Sequence, residues 1–403
     1  MDRDTFTALA VITTIAVIAP LLSELVKGRV PSVVLELLFG IIVGPQVLAL
    51  AKITPAIAAL AAIGLTFLFF MAGYEIDMPR IRGRPLTLAV AAWFIGLAVA
   101  LVIATTLVIT GYTLSTLLIA LAITTTALGT LLPMLEDAGE LHSRFGATVL
   151  AIGGAGEFLP IVAITLLLSG HSPFGTGLLL IAFVALAAGA AALALRPTPH
   201  RIALLLGRTL NTSSQLPIRI AVLMVVLLGW VASQLGLDVL LGAFAAGAIV
   251  RLASGGPEAE TARIRLETIG YGVFVPVFFV ATGLSFDLGA VERSPRILLG
   301  IPALLLAMLL VRGAPVLLYR GTLSGPERRA LAFFSATGLP MIVVITAIGV
   351  QAGHMWPGTA AALVAAGMIS VFIYPIIGLA LLRRWQERRP ARPGATRSTG
   401  RQP

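Results

Sequence analysis

The sequence predicts an all-α integral membrane protein with 13 transmembrane helices. Hydrophobic residues make up 58% of the 403-residue chain and charged residues only 11%, against about 25% charged in ordinary globular chains. So few charges cannot cover a water-exposed surface, and the apolar residues form runs of the length that crosses a bilayer as a helix. The predicted spans are 5–26, 31–50, 55–75, 85–110, 113–134, 143–169, 174–195, 217–235, 237–252, 266–286, 296–319, 328–351 and 357–382.

The charged residues lie in short clusters between these runs, and their distribution predicts the orientation. Cytoplasmic connections of membrane proteins carry an excess of Lys and Arg. Taking alternate connections together places sixteen basic residues on one side and four on the other, and the segment from Arg383 onward adds seven arginines to the first side. We therefore expect a multi-pass protein of the cell membrane, with its N-terminus outside and its C-terminus in the cytoplasm. The tail, 386–403, is basic and rich in Pro and Gly, and we expect it to be disordered.

The composition excludes several kinds of chemistry. The chain has no cysteine, so it can form neither disulfides nor thiolate metal sites, and its four histidines are far apart in sequence. The net charge of +10 is spread over the connections, so the expected partner is the lipid bilayer and not nucleic acid. Because no nucleophile–base pair or metal cluster is recognisable, we predict neither an enzyme nor a cofactor.

Two predicted spans, the fifth and the twelfth, are interrupted by residues that weaken a helix. In lipid, the backbone groups that such a break frees must find partners or line a watery cavity. Breaks at matching places in two halves of a chain indicate a transporter site near the middle of the membrane. Alternatively, both are kinks in a packed bundle, where Gly, Thr and Pro are common. The residues expected to surround the site are Thr124, Thr125, Thr126, Ser335, Thr337 and Gly338.

A single carboxylate, Glu157, lies near the middle of the sixth span. Gly153, Gly154 and Gly156 precede it, and small residues of this kind let another helix approach closely. An ionisable side chain at this depth is costly and normally faces the protein interior or a watery cavity. A carboxylate there can hold either a proton or a metal ion, and the two compete for the same oxygens. Alternatively, Glu157 is a protonated or paired residue that only holds helices together.

The other charges within or beside the spans have weaker functional signals. Arg312 in the eleventh span can either extend to the membrane interface or pair with a carboxylate in the core, and the sequence leaves both open. Glu36, near the start of the second span, is expected at the interface. Glu75 ends the third span, and we expect it in a surface ion-pair cluster with Asp77 and the arginines that follow.

Four segments resemble the monovalent cation:proton antiporter family, namely the sodium/hydrogen exchanger domain of its Kef and Nap branch. The segments are VPSVVLELLFGIIVGPQVLAL at 30–50, IGLTFLFFMAGYEIDMPRIR at 63–82, LGAFAAGAIVR at 241–251 and VFVPVFFVATGLSFDL at 273–288. Each is mostly hydrophobic and only moderately specific. Their order and spacing agree over nearly the whole chain, residues 5–385, which makes the resemblance strong.

The resemblance implies an inverted-repeat antiporter fold, with a scaffold that also forms a homodimer, a moving core and a linking span. The discontinuous fifth and twelfth spans would cross at mid-membrane, next to the ion-binding acid. The scaffold would comprise 5–75 and 217–286, the core 85–169 and 296–382, and the linker 174–195.

The resemblance also implies roles for individual residues. Family members usually have an aspartate in the sixth span, often after Asp, Asn or Gln, whereas this chain has Gly156 and Glu157. Electroneutral relatives tend to carry an arginine in the eleventh span, and in this chain that arginine is Arg312. One titrating acid and an arginine that cannot deprotonate favour 1:1 exchange of Na⁺ or K⁺ for a proton. Oxygens around Thr125, Thr126 and Ser335 are expected to bind the cation together with Glu157.

Two other functions are compatible with the sequence. An organic-anion or solute transporter on the same fold would use the positive helix ends at the breaks instead of Glu157. A membrane sensor or assembly subunit without transport is the other alternative, and its best support is the absence of the usual polar neighbour at Gly156.

Overall fold

The structure is a computed structural model that describes most of the chain. The described residues are 3–25, 30–75, 83–141, 143–168, 173–194, 209–210, 212, 214–254, 259–289 and 294–387. Many of the basic residues used to predict the orientation lie outside these ranges, as does most of the tail predicted to be disordered. Within the described ranges the regular structure is helical, with no strand.

The described elements follow the predicted spans in order. In the first half, the helices are α1 (Arg3–Leu25), α2 (Ser32–Val43), α3 (Pro55–Glu75), α4 (Arg84–Ile109), α5 (Thr116–Ile123), α6 (Leu128–Asp137), α7 (Arg144–Leu168) and α8 (Pro173–Ala194). In the second half, they are α9 (Leu216–Gln234), α10 (Val239–Ala253), α11 (Ala259–Ile269), α12 (Val275–Leu284), α13 (Pro295–Gly313), α14 (Gly325–Ala336), α15 (Pro340–Gln351) and α16 (Pro357–Glu387). A π-helical turn, Gly270–Phe274, joins α11 to α12, and a 3₁₀ helix, Ala314–Gly321, follows α13.

The lengths of these elements fit a multi-pass membrane protein. In the part of the chain that the structure describes, ten helical stretches are long and apolar enough to cross a bilayer. Three shorter apolar segments, Ser32–Val43, Thr116–Leu131 and Val239–Ala253, lie between them, so the count of thirteen crossings stays a prediction. Large apolar side chains face outward, including Leu25 and Ile109, which are 78% and 80% exposed. Lipid tails are the surroundings that such an apolar surface requires.

Three predicted boundaries are wrong. The second span does not continue as a helix to residue 50, because α2 ends at Val43 and Gly44 has an extended backbone. Pro45 follows Gly44, and the residue before a proline is disfavoured in the helical conformation. The connection predicted at 253–265 is partly helical, since α11 begins at Ala259. The last helix continues to Glu387, so the first two residues of the predicted disordered tail are helical.

The helices pack as two bundles. The first bundle contains α1–α3 and α9–α12, in which α3 packs on α10 and α2 on α12. The second bundle contains α4–α7 and α13–α16, in which α4 packs on α7 and α13 on α16. Helix α8 contacts α7 on one side and α10 on the other, so it lies between the two bundles.

Glycines bring helices of the first bundle into backbone contact, as between α3 and α10 and between α2 and α12. A Cβ atom at Gly247 of α10 would lie 2.7 Å from the backbone nitrogen of Tyr74 on α3, and one at Gly73 would overlap the backbone of α10. Between α2 and α12 the same occurs, since a Cβ atom at Gly40 would lie 2.9 Å from the Cα of Gly283. Such close contact is how membrane helices associate without a hydrophobic driving force.

The contact between α3 and α10 predicts that Gly247→Ala destabilises the protein. The added methyl group would meet backbone atoms, which cannot rotate away, and overpacking of this kind costs about 1–3 kcal/mol or more. We expect a fall of several degrees in the apparent Tm of the detergent-purified protein. Gly189→Ala on α8 is the matched control, because a Cβ atom there has no neighbour within 4 Å. Equal Tm values for the two variants would contradict the packing.

Candidate functional site

The two predicted helix breaks are present and contact each other. Residues 124–127 separate α5 from α6, and residues 337–339 separate α14 from α15. The backbone N–H of Ala127 donates to the carbonyl oxygen of Thr337 at 2.7 Å. The hydroxyl of Thr126 donates to the carbonyl oxygen of Ser335 at 2.6 Å. Each break therefore satisfies backbone groups that the other leaves without helical partners, as a membrane interior requires.

Side chains complete the hydrogen bonding of the breaks. The hydroxyls of Thr124 and Thr125 each donate, at 2.8 Å, to a carbonyl oxygen in the last turn of α5. The hydroxyl of Thr337 likewise donates to a carbonyl of α14 at 3.1 Å. The N–H of Gly338 donates to the hydroxyl of Ser370 on α16 at 3.1 Å. Ser370 was not among the predicted site residues, because a single serine within an apolar run is a weak signal.

Glu157 is a residue of α7, and its carboxylate lies at the N-terminus of α6. Its side chain is only 6% exposed, and its Oε1 accepts a hydrogen bond of 2.8 Å from the N–H of Leu128, the first residue of α6. The positive end of a helix dipole stabilises a carboxylate in this position. The other oxygen, Oε2, is buried and has no hydrogen-bond partner among the described residues. One carboxylate oxygen is thus fixed and the other is free to bind a proton or a cation.

Arg312 is a residue of α13, and its guanidinium lies beside the C-terminal end of α14. It is 4% exposed, and its Nε donates to the carbonyl oxygen of Ser335 in the last turn of α14 at 3.2 Å. Its Nη2 donates to the hydroxyl of Thr126 at 2.7 Å and to the carbonyl oxygen of Ile152 at 3.2 Å. Both alternatives left open by the sequence are wrong: Arg312 does not reach the interface, and its described partners are neutral oxygens. A cation near the C-terminus of a helix is stabilised by the negative end of the dipole.

Close packing accounts for the glycine at position 156. A Cβ atom at Gly156 would lie 2.7 Å from the hydroxyl oxygen of Thr126 and 2.9 Å from Nη2 of Arg312. The space beside the carboxylate, where the family resemblance implies a polar side chain, is therefore filled here by the guanidinium and a threonine.

A cavity of about 480 Å³ lies against Glu157. Thr130 of α6 lines it, whereas the hydroxyls of Thr125, Thr126 and Ser335 do not, among the residues described. Nor do the described residues include a group of three or more His, Cys, Asp or Glu that could hold a metal ion. The remaining walls include Ala72, Glu75, Gly129, Arg263, Glu267, Tyr271, Pro340 and Met341.

The structure describes the surroundings of two further glutamates, Glu75 and Glu36. Glu75 faces the cavity instead of a surface cluster: its Oε1 accepts a hydrogen bond of 2.8 Å from the hydroxyl of Tyr271, and its Oε2 is buried without a partner. The arginines expected beside it lie outside the described residues. Glu36 is only 3% exposed, so it packs among other helices, and its position at the interface stays a prediction. Sequence reasoning missed Glu75 as a cavity residue, although a second acid at the end of an apolar helix was the available signal.

The packing around Gly156 predicts that Gly156→Ala disturbs Arg312. The methyl group needs space now taken by Nη2 and by Thr126, so the guanidinium must move from its carbonyl partners. We expect destabilisation of about 1–3 kcal/mol, measured as a lower apparent Tm in detergent, together with slower ion flux in vesicles. Gly177→Ala on α8, where a Cβ atom meets nothing within 4 Å, is the control. A variant as stable and active as this control would show that the packing is looser than described.

The sequence of this chain is similar to those of known transporters. The chain is 27% identical to the putative Na⁺/H⁺ antiporter YjbQ of Bacillus subtilis over 405 residues, covering 96% of this chain and 65% of that protein. It is 28% identical to the Na⁺/H⁺-K⁺ antiporter GerN of Bacillus cereus over 261 residues, covering 63% of this chain and 65% of GerN. The chain thus spans about two thirds of the length of these curated relatives.

A solved structure and a family model extend the comparison. The sodium proton antiporter MjNhaP1 from Methanocaldococcus jannaschii superposes with a TM-score of 0.63 at 17% identity, covering 95% of this chain and 98% of MjNhaP1. At this identity the likeness shows the fold. The model of the transmembrane sodium/hydrogen exchanger family matches residues 12–384. This protein therefore belongs to the transmembrane sodium/hydrogen exchanger family.

Proposed function

We propose that this protein exchanges Na⁺ or K⁺ for protons across the cell membrane, and that Glu157 is the group the two ions share. The observation that carries the proposal is the free, buried Oε2 of Glu157 beside a cavity, while Oε1 is held by α6. The names of the relatives, which describe Na⁺/H⁺ and Na⁺/H⁺-K⁺ antiporters, support the same chemistry. The transported ions are substrates, and no cofactor is needed.

The proposed cycle follows from the cost of charge inside a membrane. An uncompensated carboxylate resists passage through an apolar barrier, and Arg312 forms no ion pair with Glu157, because its described partners are neutral oxygens. A proton or a monovalent cation must therefore neutralise Glu157 before the second bundle moves. Since one carboxylate releases one proton for one cation, the exchange is 1:1 and electroneutral.

The residues of the breaks support this site in different ways. The hydroxyl of Thr126 already accepts a hydrogen bond from Arg312, so a second cation bound to the same oxygen would be repelled. We assign Thr126 and Ser335 to holding Arg312, and Thr124, Thr125, Thr337 and Gly338 to shaping the breaks. Thr130, the third residue of α6, lines the cavity and is a more suitable neutral ligand to accompany Glu157.

The packing supports alternating access by an inverted-repeat fold. If spans 1–3 and 8–10 are repeats, the contact between α3 and α10 is equivalent to that between α12 and α2, and both contacts are made through glycines. The first bundle then corresponds to the scaffold and dimer region, the second to the moving core with two crossing broken helices, and α8 to the linker. Thirteen crossings with the N-terminus outside and the C-terminus in the cytoplasm complete this arrangement.

The geometry argues against the two alternatives. An organic anion would need the positive helix ends at the breaks, and the carboxylate of Glu157 already occupies the end at α6. The support for a subunit without transport was the missing polar side chain at Gly156. Because Arg312 fills the space beside this residue, the glycine does not leave the site incomplete. Cation–proton exchange therefore remains the function that the site supports best.

The proposed function predicts that Glu157→Gln abolishes coupled exchange. Glutamine keeps the shape and can accept the hydrogen bond from Leu128, but it can neither bind a proton nor carry the charge that a cation needs. We expect Na⁺- and K⁺-dependent proton flux in reconstituted vesicles to fall to background across a pH series. Glu36→Gln, which also changes a buried glutamate but one outside the cavity, serves as the control with normal flux. Full activity of Glu157→Gln would exclude this mechanism.

A second prediction concerns the charge moved in each cycle. With one proton exchanged for one cation, transport generates no net current. Reconstituted protein on a voltage-clamped membrane should therefore show cation-driven pH changes without a matching current, and the flux should be the same at every clamped potential. A current that scales with flux would show unequal stoichiometry and would contradict the 1:1 proposal.

A further inference from the structure

We propose that Ser370 is a positioning residue for the exchange: through the second helix break, it aligns the backbone N–H that holds the carboxylate of Glu157. This role rests on the proposed exchange function and adds to its site a residue on α16. Ser370 is fully buried, at 0% exposure, and among the described residues it does not line the cavity beside Glu157. It therefore holds other groups in place and does not bind the cation.

The hydroxyl of Ser370 serves both backbone groups of Gly338. It accepts a hydrogen bond from the N–H of Gly338 at 3.1 Å. Its own proton is within reach of two carbonyl oxygens, that of Gly338 at 3.1 Å and that of Gly367, one turn earlier in α16, at 2.7 Å. A hydroxyl has one donor and two acceptor positions, so it can satisfy the N–H and serve either carbonyl. Because a buried backbone group without a partner is costly, this side chain fixes the second break to α16.

Close packing holds Gly338 between α16 and the first break. A Cβ atom at Gly367 would lie 2.9 Å from the carbonyl oxygen of Gly338, so α16 touches the second break directly. On the other side, a Cβ atom at Gly338 would lie 3.0 Å from the hydroxyl oxygen of Thr125. The second break therefore cannot shift at Gly338 without changing its contact with the first break.

Hydrogen bonds continue from the second break to the carboxylate of Glu157. The carbonyl oxygen of Thr337, in the second break, accepts the N–H of Ala127 at 2.7 Å. The next residue, Leu128, donates its own N–H to Oε1 of Glu157 at 2.8 Å. Three hydrogen bonds and two short stretches of backbone thus join Ser370 to Glu157. A change in the position of the second break reaches the donor of Glu157 along this path.

Ser370 has the place in the second half of the chain that Glu157 has in the first. Each lies on the long helix that follows a broken pair, α7 after α5 and α6, and α16 after α14 and α15. Each accepts a backbone N–H from a residue at its break, 29 residues earlier for Glu157 and 32 residues earlier for Ser370. The second half therefore has a neutral hydroxyl where the first has an acid, so Ser370 fixes the geometry without adding a second charge.

The charged and titratable groups around Glu157 do not depend on Ser370. Those that line its cavity or lie against its neighbour Gly156 are Glu75, Arg263, Glu267, Tyr271 and Arg312. Among the described residues, the hydroxyl of Ser370 bonds to Gly338 and Gly367 and to none of these groups. Removing this hydroxyl leaves the charges in place, so a change in proton binding by Glu157 must come through the backbone path.

The test compares the pH dependence of transport by Ser370→Ala with that of the unaltered protein. Alanine removes the acceptor for the N–H of Gly338 and adds no atom that could clash. Hydrogen bonding to a carboxylate favours its charged form, so a misaligned Leu128 should let Glu157 keep its proton to a higher pH. On the acidic limb, where the proton displaces the cation, we expect the pH of half-maximal Na⁺- or K⁺-dependent flux to rise by about one unit, equivalent to about 1.4 kcal/mol.

Two further variants separate positioning from folding. Ser370→Cys keeps a side chain of similar shape with a weaker acceptor, so it should shift the acidic limb in the same direction by a smaller amount. Thr359→Val removes another buried hydroxyl of α16, which donates to the carbonyl oxygen of Tyr112 at 2.7 Å and lies about 16 Å from Ser370 along the helix. It should lower the apparent Tm without shifting the acidic limb. If Ser370→Ala fails to insert, the shift in Ser370→Cys decides the question.

Each outcome bears on one proposal. An acidic limb at its normal pH in Ser370→Ala, alongside an inactive Glu157→Gln, would overturn the role of Ser370 and leave the exchange function standing. A lower maximal rate with an unchanged acidic limb would also overturn it, because that pattern indicates a purely structural role. So would an equal shift in Thr359→Val, since general loosening of α16 would then explain both variants. Activity in Glu157→Gln would instead refute the exchange mechanism itself.

Discussion

The pairing of two broken helices is the constraint on which the rest of the site depends. A break inside a membrane leaves backbone groups unsatisfied, at a cost of several kcal/mol each. Here Ala127 and Thr337 satisfy one another across the two breaks. The breaks also expose four helix ends, and two of them face a charge of opposite sign: Glu157 at the N-terminus of α6 and Arg312 near the C-terminus of α14. Helix ends therefore compensate these buried charges without a direct salt bridge.

This arrangement explains how a carboxylate can remain reactive in the membrane. A salt bridge with Arg312 would stabilise the charged form of Glu157 and occupy its free oxygen. Because Arg312 is bound to neutral oxygens, Glu157 keeps one free oxygen at a cavity. The remaining charge must be balanced by something mobile, and a proton and a monovalent cation both fit. Glu75 also has an oxygen without a partner among the described residues, and it lines the same cavity from the first bundle.

Local signals explain what the sequence could and could not predict. The broken helices and Glu157 were predictable, because Thr, Gly and Pro within an apolar run, or an acid at mid-depth, are recognisable from neighbouring residues. The end of α2 was also encoded locally, by Gly44 and Pro45, but the hydrophobic run obscured it. The partners of Arg312 were not predictable, since Thr126 lies 186 residues away. The position of Glu75 likewise depends on Tyr271, 196 residues later in the chain.

The most direct test of the shared carboxylate is the release of protons when a cation binds. Purified protein in weakly buffered detergent solution would be titrated with NaCl or KCl while a pH dye reports protons, and choline chloride would serve as the ionic-strength control. The account predicts one proton released per cation bound, at pH values where Glu157 is protonated, and no release from Glu157→Gln. Cation binding without proton release, or release that persists in Glu157→Gln, would contradict it.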